Sequence, residues 1–142
     1  MVGMNILVTL NSNYLWPLKV MLKSMFYNNP DERFAIYLIH SSINDAELEE
    51  LDRFISAHGS GFVPIRIGDD MFQDAPTLLH YTKEMYYRLL AYRFLPQRLD
   101  RVLYLDPDIL VLNPIRDFYH MDMENYMFAA SSHTFVSVPE LN

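Results

Sequence analysis

Arg101-Val102-Leu103-Tyr104-Leu105-Asp106-Pro107-Asp108-Ile109-Leu110 is an apolar run that ends abruptly in two carboxylates with a proline between them. Residues two apart on an extended chain point to the same side, so this reading brings Asp106 and Asp108 to one small volume. Pro107 fixes its own φ and has no N–H to give a ladder, so it ends regular pairing and stiffens the turn. Two carboxylates held close repel each other unless a cation sits between them. Oxygen ligands of this kind suit a hard ion such as Mg²⁺ or Mn²⁺, and such an ion commonly bridges carboxylates to a phosphate. The stretch therefore points first to a nucleotide or nucleotide-sugar site.

Outward from that stretch, strand and helix patterns alternate. Asn5 to Leu10 reads as a buried strand. From Trp16 to Asn28 the apolar residues Leu18, Met21, Leu22 and Met25 recur at helical spacing. Pro17 suits the first turn of that helix, and Asn28-Asn29-Pro30 stops it. Phe34 to His40 is a second strand. Asn44 and Glu47 form a capping-box pair for a helix whose inner face is Leu48, Leu51, Phe54 and Ile55, ended by Gly59. Phe62 to Ile67 is a third strand, followed by a loop from Gly68 to about Tyr81. Thr82 caps a third helix running to about Phe94. Arg101 to Leu105 is the fourth strand, Ile109 to Leu112 extends it, and Tyr126 to Ser131 reads as one more. Such alternation predicts an α/β fold with a mostly parallel sheet covered by helices on both faces. Ligands of these folds sit beyond the carboxyl ends of the strands, where strand order reverses. The acidic pair and the loop Asn11-Ser12-Asn13-Tyr14 both belong at that edge.

The bulk numbers narrow the function classes. A chain of 142 residues fits one domain, here expected to be a single nucleotide-sugar-binding unit over 1–142, with a core of useful size. Only 4 Gly make a glycine-rich phosphate loop a poor expectation. A formal net charge of −7 argues against a nucleic-acid partner, which needs a basic face. With no cysteine, disulfides and thiolate metal sites are excluded, and a reducing, cytoplasmic setting fits. No signal peptide is apparent, and no apolar run approaches the ~20 residues a transmembrane helix needs.

Bland readings compete for each candidate. Asp-Pro is common turn chemistry, so an acidic pair at a strand end is often only solvated. A phosphatase of the haloacid-dehalogenase type also places Asp-x-Asp after an apolar strand, but it wants a nearby Gly, and Ile109 and Leu110 follow here. Glycoside hydrolysis is disfavoured, because its two carboxylates flank the scissile bond about 5–10 Å apart and usually come from separate segments. Asn11, Asn13 and Tyr14 could read a base edge and stack a ring, or form an ordinary turn. Arg88, among Met85, Tyr86, Tyr87 and Leu89, wants either a carboxylate or a ligand phosphate. The five histidines show no metal-ligand spacing. Asp69 and Asp70 read as solvated.

Three segments together resemble glycosyltransferase family eight, which includes glycogenin and the bacterial lipopolysaccharide galactosyltransferases. They are Ile6-Leu7-Val8-Thr9-Leu10-Asn11-Ser12-Asn13-Tyr14 with a following helix that contains Ser24, then Tyr86-Tyr87-Arg88-Leu89-Leu90, and finally Leu103-Tyr104-Leu105-Asp106-Pro107-Asp108-Ile109-Leu110-Val111. The resemblance implies a Rossmann-like nucleotide-diphospho-sugar transferase fold of the A type. It implies a UDP-sugar donor, Mn²⁺ (or Mg²⁺), and transfer with retention of anomeric configuration to a saccharide, lipid-linked glycan or protein acceptor. By resemblance, Asp106 and Asp108 hold the metal, while Thr9, Asn11, Asn13, Tyr14 and Arg88 bind the donor. No catalytic nucleophile is named. The family often has Asp where this chain has Asn11, whose carbonyl oxygen still accepts a hydrogen bond. The family also takes a further metal-binding His from a His-x-x-Gly-x-x-Lys motif that this sequence does not contain. The expectation is therefore the N-terminal, donor-binding portion of a longer transferase, acting in the cytoplasm at the inner membrane surface through other parts. The alternative is a folded nucleotide-binding module without turnover of its own. Association with further copies is compatible with the sequence.

Overall fold

Strands β1 (Met4–Thr9), β2 (Phe34–His40), β3 (Gly61–Arg66) and β4 (Leu103–Tyr104) build one sheet in the order β3-β2-β1-β4, in a computed structural model that describes residues 3–72 and 83–131. Every neighbouring pair is parallel. Helices α1 (Leu15–Asn28) and α2 (Asp45–Ser56) make the first two crossovers, and α3 (Lys83–Leu89) belongs to the third. A short α4 (Arg116–Tyr119) follows β4.

Side-chain alternation sorts the core into two layers. Met4, Ile6 and Val8 of β1, with Leu10 just beyond it, join Phe34, Ile36 and Leu38 of β2 in one cluster. Leu18, Met21, Leu22 and Met25 of α1 and Leu51 and Ile55 of α2 pack onto that face. Leu7, Tyr37 and Ile39 face the other way and meet Tyr87 of α3 and Ala91. Each fully buried aliphatic side chain here contributes roughly 1.5–3 kcal/mol relative to exposure. The crossovers through α1 and α2 step one way across the sheet, and the one through α3 steps back past β1. Parallel crossovers keep one hand, so a reversal of direction requires the opposite face. That explains why α3 lies across the sheet from α1 and α2, and it makes the β1/β4 junction the point of reversal.

The capping box of α2 forms as the sequence predicts: Asn44 Oδ1 accepts from the Glu47 N–H at 2.9 Å, and the Glu47 carboxylate accepts from the Asn44 N–H at 3.1 Å. Gly59, at φ +72°, closes α2 in the left-handed region. Pro64 is tolerated inside β3 because β3 is an edge strand.

Four expectations need correction. The fourth strand is Leu103–Tyr104 rather than 101–105, with one further ladder bond from Leu105 N to Leu7 O at 3.1 Å. Ile109 to Leu112 does not extend it: Pro107 and Asp108 form a turn, and the chain leaves the sheet there. Tyr126 to Ser131 has strand-forming residues but is no strand: it pairs with neither edge of the sheet, and Tyr126, Met127 and Phe128 are exposed. The third helix ends at Leu89, and a separate 3₁₀ turn spans Ala91–Arg93. Its expected cap, Thr82, lies outside the described residues, as does most of the loop before it.

Candidate functional site

Register decides which residues meet at the reversal point. Ile6 pairs with Leu103 and Leu7 with Tyr104. Carried two residues on, that register sets Thr9 level with Asp106. Tyr104, Thr9 and Asp106 share the sheet face that carries α3, because Tyr104 packs in the same layer as Leu7 and Tyr87.

A chain of polar contacts joins them. The Tyr104 hydroxyl donates to Asp106 Oδ1 at 3.0 Å. The Thr9 side chain lies beside the same hydroxyl. From α3, the Arg88 guanidinium carbon lies 5.5 Å from the centroid of the Tyr104 ring, at cation–π distance. Burial, first of all, raises the phenol above its ordinary value; the Thr9 hydrogen bond opposes this, the Asp106 charge adds to it, and Arg88 opposes it. Tyr104 therefore stays protonated, and a donor, at neutral pH.

Asp106 and Asp108 are exposed and Pro107 is buried beneath them. Because Pro107–Asp108 is a turn, strand alternation does not set the relative direction of the two carboxylates, contrary to the simplest sequence argument. The position of the turn is fixed from α1 instead. Ser24 Oγ accepts from Val111 N at 2.9 Å, Asn28 Nδ2 donates to Val111 O at 2.8 Å, and Asn29 Oδ1 accepts from Ile115 N at 2.8 Å. At the far end of β4, Asn5 Nδ2 donates to Arg101 O at 3.0 Å, and Tyr119 Oη donates to the same oxygen at 3.0 Å. The Tyr119 oxygen also accepts from Asn5 N at 3.1 Å. A strand of two residues is thus braced by side chains on both sides.

The loop after β1 is a 3₁₀ turn, Ser12–Tyr14. Asn11 Oδ1 accepts from Asn13 N at 3.0 Å, so the oxygen expected to read a base edge caps its own turn. Asn13 and Tyr14 are exposed. Ser12 Oγ donates to Glu47 Oε2 at 3.1 Å, and that carboxylate also serves the α2 capping box. The base-side loop is therefore tied to the start of α2.

Among the predicted residues, Thr9, Arg88 and Asp106 are brought together, and Asp108 adjoins them through the turn. Asn11, Asn13 and Tyr14 lie on the neighbouring β1 loop at the same sheet edge. Sequence reasoning passed over Tyr104, although it stands two positions before Asp106 on the same strand face. It also passed over Asn28, Asn29, Arg101 and the Ser12–Glu47 link, which are polar residues with no signature of their own.

Two exposed carboxylates fit a hard divalent ion held jointly with a diphosphate, since Mg²⁺-type sites commonly use one or two protein carboxylates plus phosphate oxygens and water. Among the described residues, no group of three His, Cys, Asp or Glu side chains is placed to hold a metal by itself. Among the described residues, too, no helix is long and apolar enough to cross a membrane.

A parallel sheet covered on both faces, with its polar residues gathered at the strand-order reversal, defines an open α/β domain of the kind that takes its ligands at that edge. Known proteins make the class specific. The profile of glycosyl transferase family 8 matches residues 5–140, and the chain belongs to that family. It is 27% identical over 126 residues to a lipopolysaccharide 1,2-glucosyltransferase of Escherichia coli, covering 89% of this chain and 37% of that protein. It is 29% identical over 126 residues to the glycosyltransferase GlyF of Streptococcus pneumoniae, covering 89% of this chain and 31% of the relative. The fold superposes with a TM-score of 0.75 on the galactosyltransferase LgtC, solved with donor and acceptor sugar analogues, at 25% identity over 84% of this chain and 43% of LgtC. The chain thus spans less than half the length of these relatives.

Proposed function

We propose that residues 1–142 form the donor-binding domain of a metal-dependent, retaining glycosyltransferase that uses a UDP-sugar. The observation that carries this reading is the convergence of Thr9, Tyr104, Arg88 and Asp106 at the β1/β4 reversal, next to Asp108. Asp106 and Asp108 hold Mn²⁺ or Mg²⁺. When bound, the ion supplies Lewis-acid stabilisation of the charge that develops on the leaving diphosphate. Arg88, already poised over the site from α3, adds a fixed positive charge on the donor side. The 3₁₀ turn of Asn13 and Tyr14 presents amide and ring surfaces to the uridine, and Asn11 keeps that turn in shape. Relatives that act on lipopolysaccharide support a saccharide or lipid-linked glycan as acceptor, bound by parts beyond this domain.

Asp106→Asn and Asp108→Asn test the assignment by titration calorimetry with UDP, with and without Mn²⁺. Each variant should lose at least about tenfold in Mn²⁺-dependent affinity, equivalent to ~1.4 kcal/mol. Unchanged affinity in both would defeat it. A second reading is favoured by the short span relative to LgtC: a domain that binds donor without turning it over. Hydrolysis of a UDP-sugar in Mn²⁺ by these 142 residues alone would exclude that reading.

A further inference from the structure

We infer that Tyr104 is a positioning residue for the metal-binding carboxylate; this rests on the reading of Asp106 given above. The Asp106 side chain is exposed, so nothing in the packing fixes its rotamer. The Tyr104 hydroxyl supplies that fixing by donating to Oδ1, which leaves Oδ2 to turn outward. A hydroxyl free to rotate would serve poorly. The phenol proton is committed to Asp106 Oδ1, and Thr9, which is buried, lines the β1 side of the hydroxyl. The ring is held from two sides, by the layer that contains Leu7 and Tyr87 and by the Arg88 guanidinium. Partners that orient a ligand commonly govern metal affinity by about 10–100-fold when removed.

The bland account is that Tyr104 is only a half-buried ring filling the α3 layer. Tyr104→Phe separates the two, because it keeps the ring and removes the hydroxyl alone. The full chain is titrated with Mn²⁺ in the presence of UDP, following the electron paramagnetic resonance signal of free Mn²⁺. UDP affinity without metal is measured beside it. Tyr104→Phe should weaken Mn²⁺ binding about tenfold while leaving metal-free UDP affinity and the unfolding midpoint near wild type. Equal Mn²⁺ affinity in wild type and Tyr104→Phe overturns the inference, as does an equal fall in metal-free UDP affinity. Failure of the wild type to bind UDP in an Mn²⁺-dependent way overturns this inference and the proposed function together. Wild-type binding with an indifferent Tyr104→Phe overturns this inference alone.

Discussion

Replacing Asn29 with alanine should cost about 2–3 kcal/mol of stability, although Asn29 touches nothing at the candidate site. Its side chain is 4% exposed and makes two hydrogen bonds. Nδ2 donates to Met25 O at 2.9 Å, within the last turn of α1, and Oδ1 accepts from Ile115 N at 2.8 Å, beyond the acidic turn. A neutral hydrogen bond contributes about 1 kcal/mol net, and a partly buried N–H left without an acceptor costs roughly 1–3 kcal/mol. The Met25 carbonyl retains its second lone pair and loses less. Together these give the stated figure, or a fall in midpoint temperature of about 6–12 °C for a domain of this size. Urea unfolding followed by circular dichroism measures it, and the dependence on denaturant should keep its slope. Asn28→Ala is the internal control: it removes donors to Ser24 O and Val111 O but orphans no N–H, so its cost should be about 1 kcal/mol. If Asn29→Ala lost less than about 0.5 kcal/mol, the claim that α1 side chains hold the 111–115 segment would be refuted.

Two further predictions concern the sheet. His40 is fully buried, its Nδ1 accepts from Ile43 N at 3.3 Å, and its Nε2 has no partner among the described residues. Burial, then the charge of Arg66, holds its pKa below 6.5, with Asp45 opposing. The unfolded chain therefore takes up a proton that the folded one refuses as pH drops below about 6.5, and stability falls until the folded pKa is passed. His40→Asn, whose carbonyl replaces Nδ1, should flatten the urea midpoint between about pH 7.5 and 5; identical pH slopes would dismiss the idea. At Gly3 an added Cβ would stand 2.5 Å from Arg33 O and 2.9 Å from Arg33 C, both backbone atoms. Gly3→Ala should cost roughly 1–3 kcal/mol through displaced backbone, seen in the same unfolding assay; a neutral result would mean that the β1 entry shifts freely.

The parts that could be read from sequence share a property: a local pattern with one physical solution. Asn44 and Glu47 at capping-box spacing, the helical recurrence of Leu18, Met21, Leu22 and Met25, and the short apolar run from Phe34 to His40 each met that condition. The fold class followed from their order. The fourth strand was harder, because its length depends on how far the chain stays beside β1, and only Leu103–Tyr104 pair with it. β-propensity misled at Tyr126 to Ser131 for the same reason: propensity needs a neighbour before it becomes a strand. The acidic pair was legible as chemistry, but its support was not. Tyr104 read as core, and the Asn28 and Asn29 amides read as a helix stop, until the structure set them against residues more than eighty positions away.

Helix α1 has a consequence for how the candidate site can move. Its first turn continues directly from the Ser12–Tyr14 turn after β1, and its last turns grip Val111 and Ile115, which follow the acidic turn. Fourteen residues of α-helix span about 20 Å, so one stiff rod runs between the two halves. The β1 loop and the acidic turn are therefore coupled mechanically. A kink or slide of α1 alters the distance between them, much as a bent spacer resets the jaws of a gauge, while the sheet beneath stays as it was.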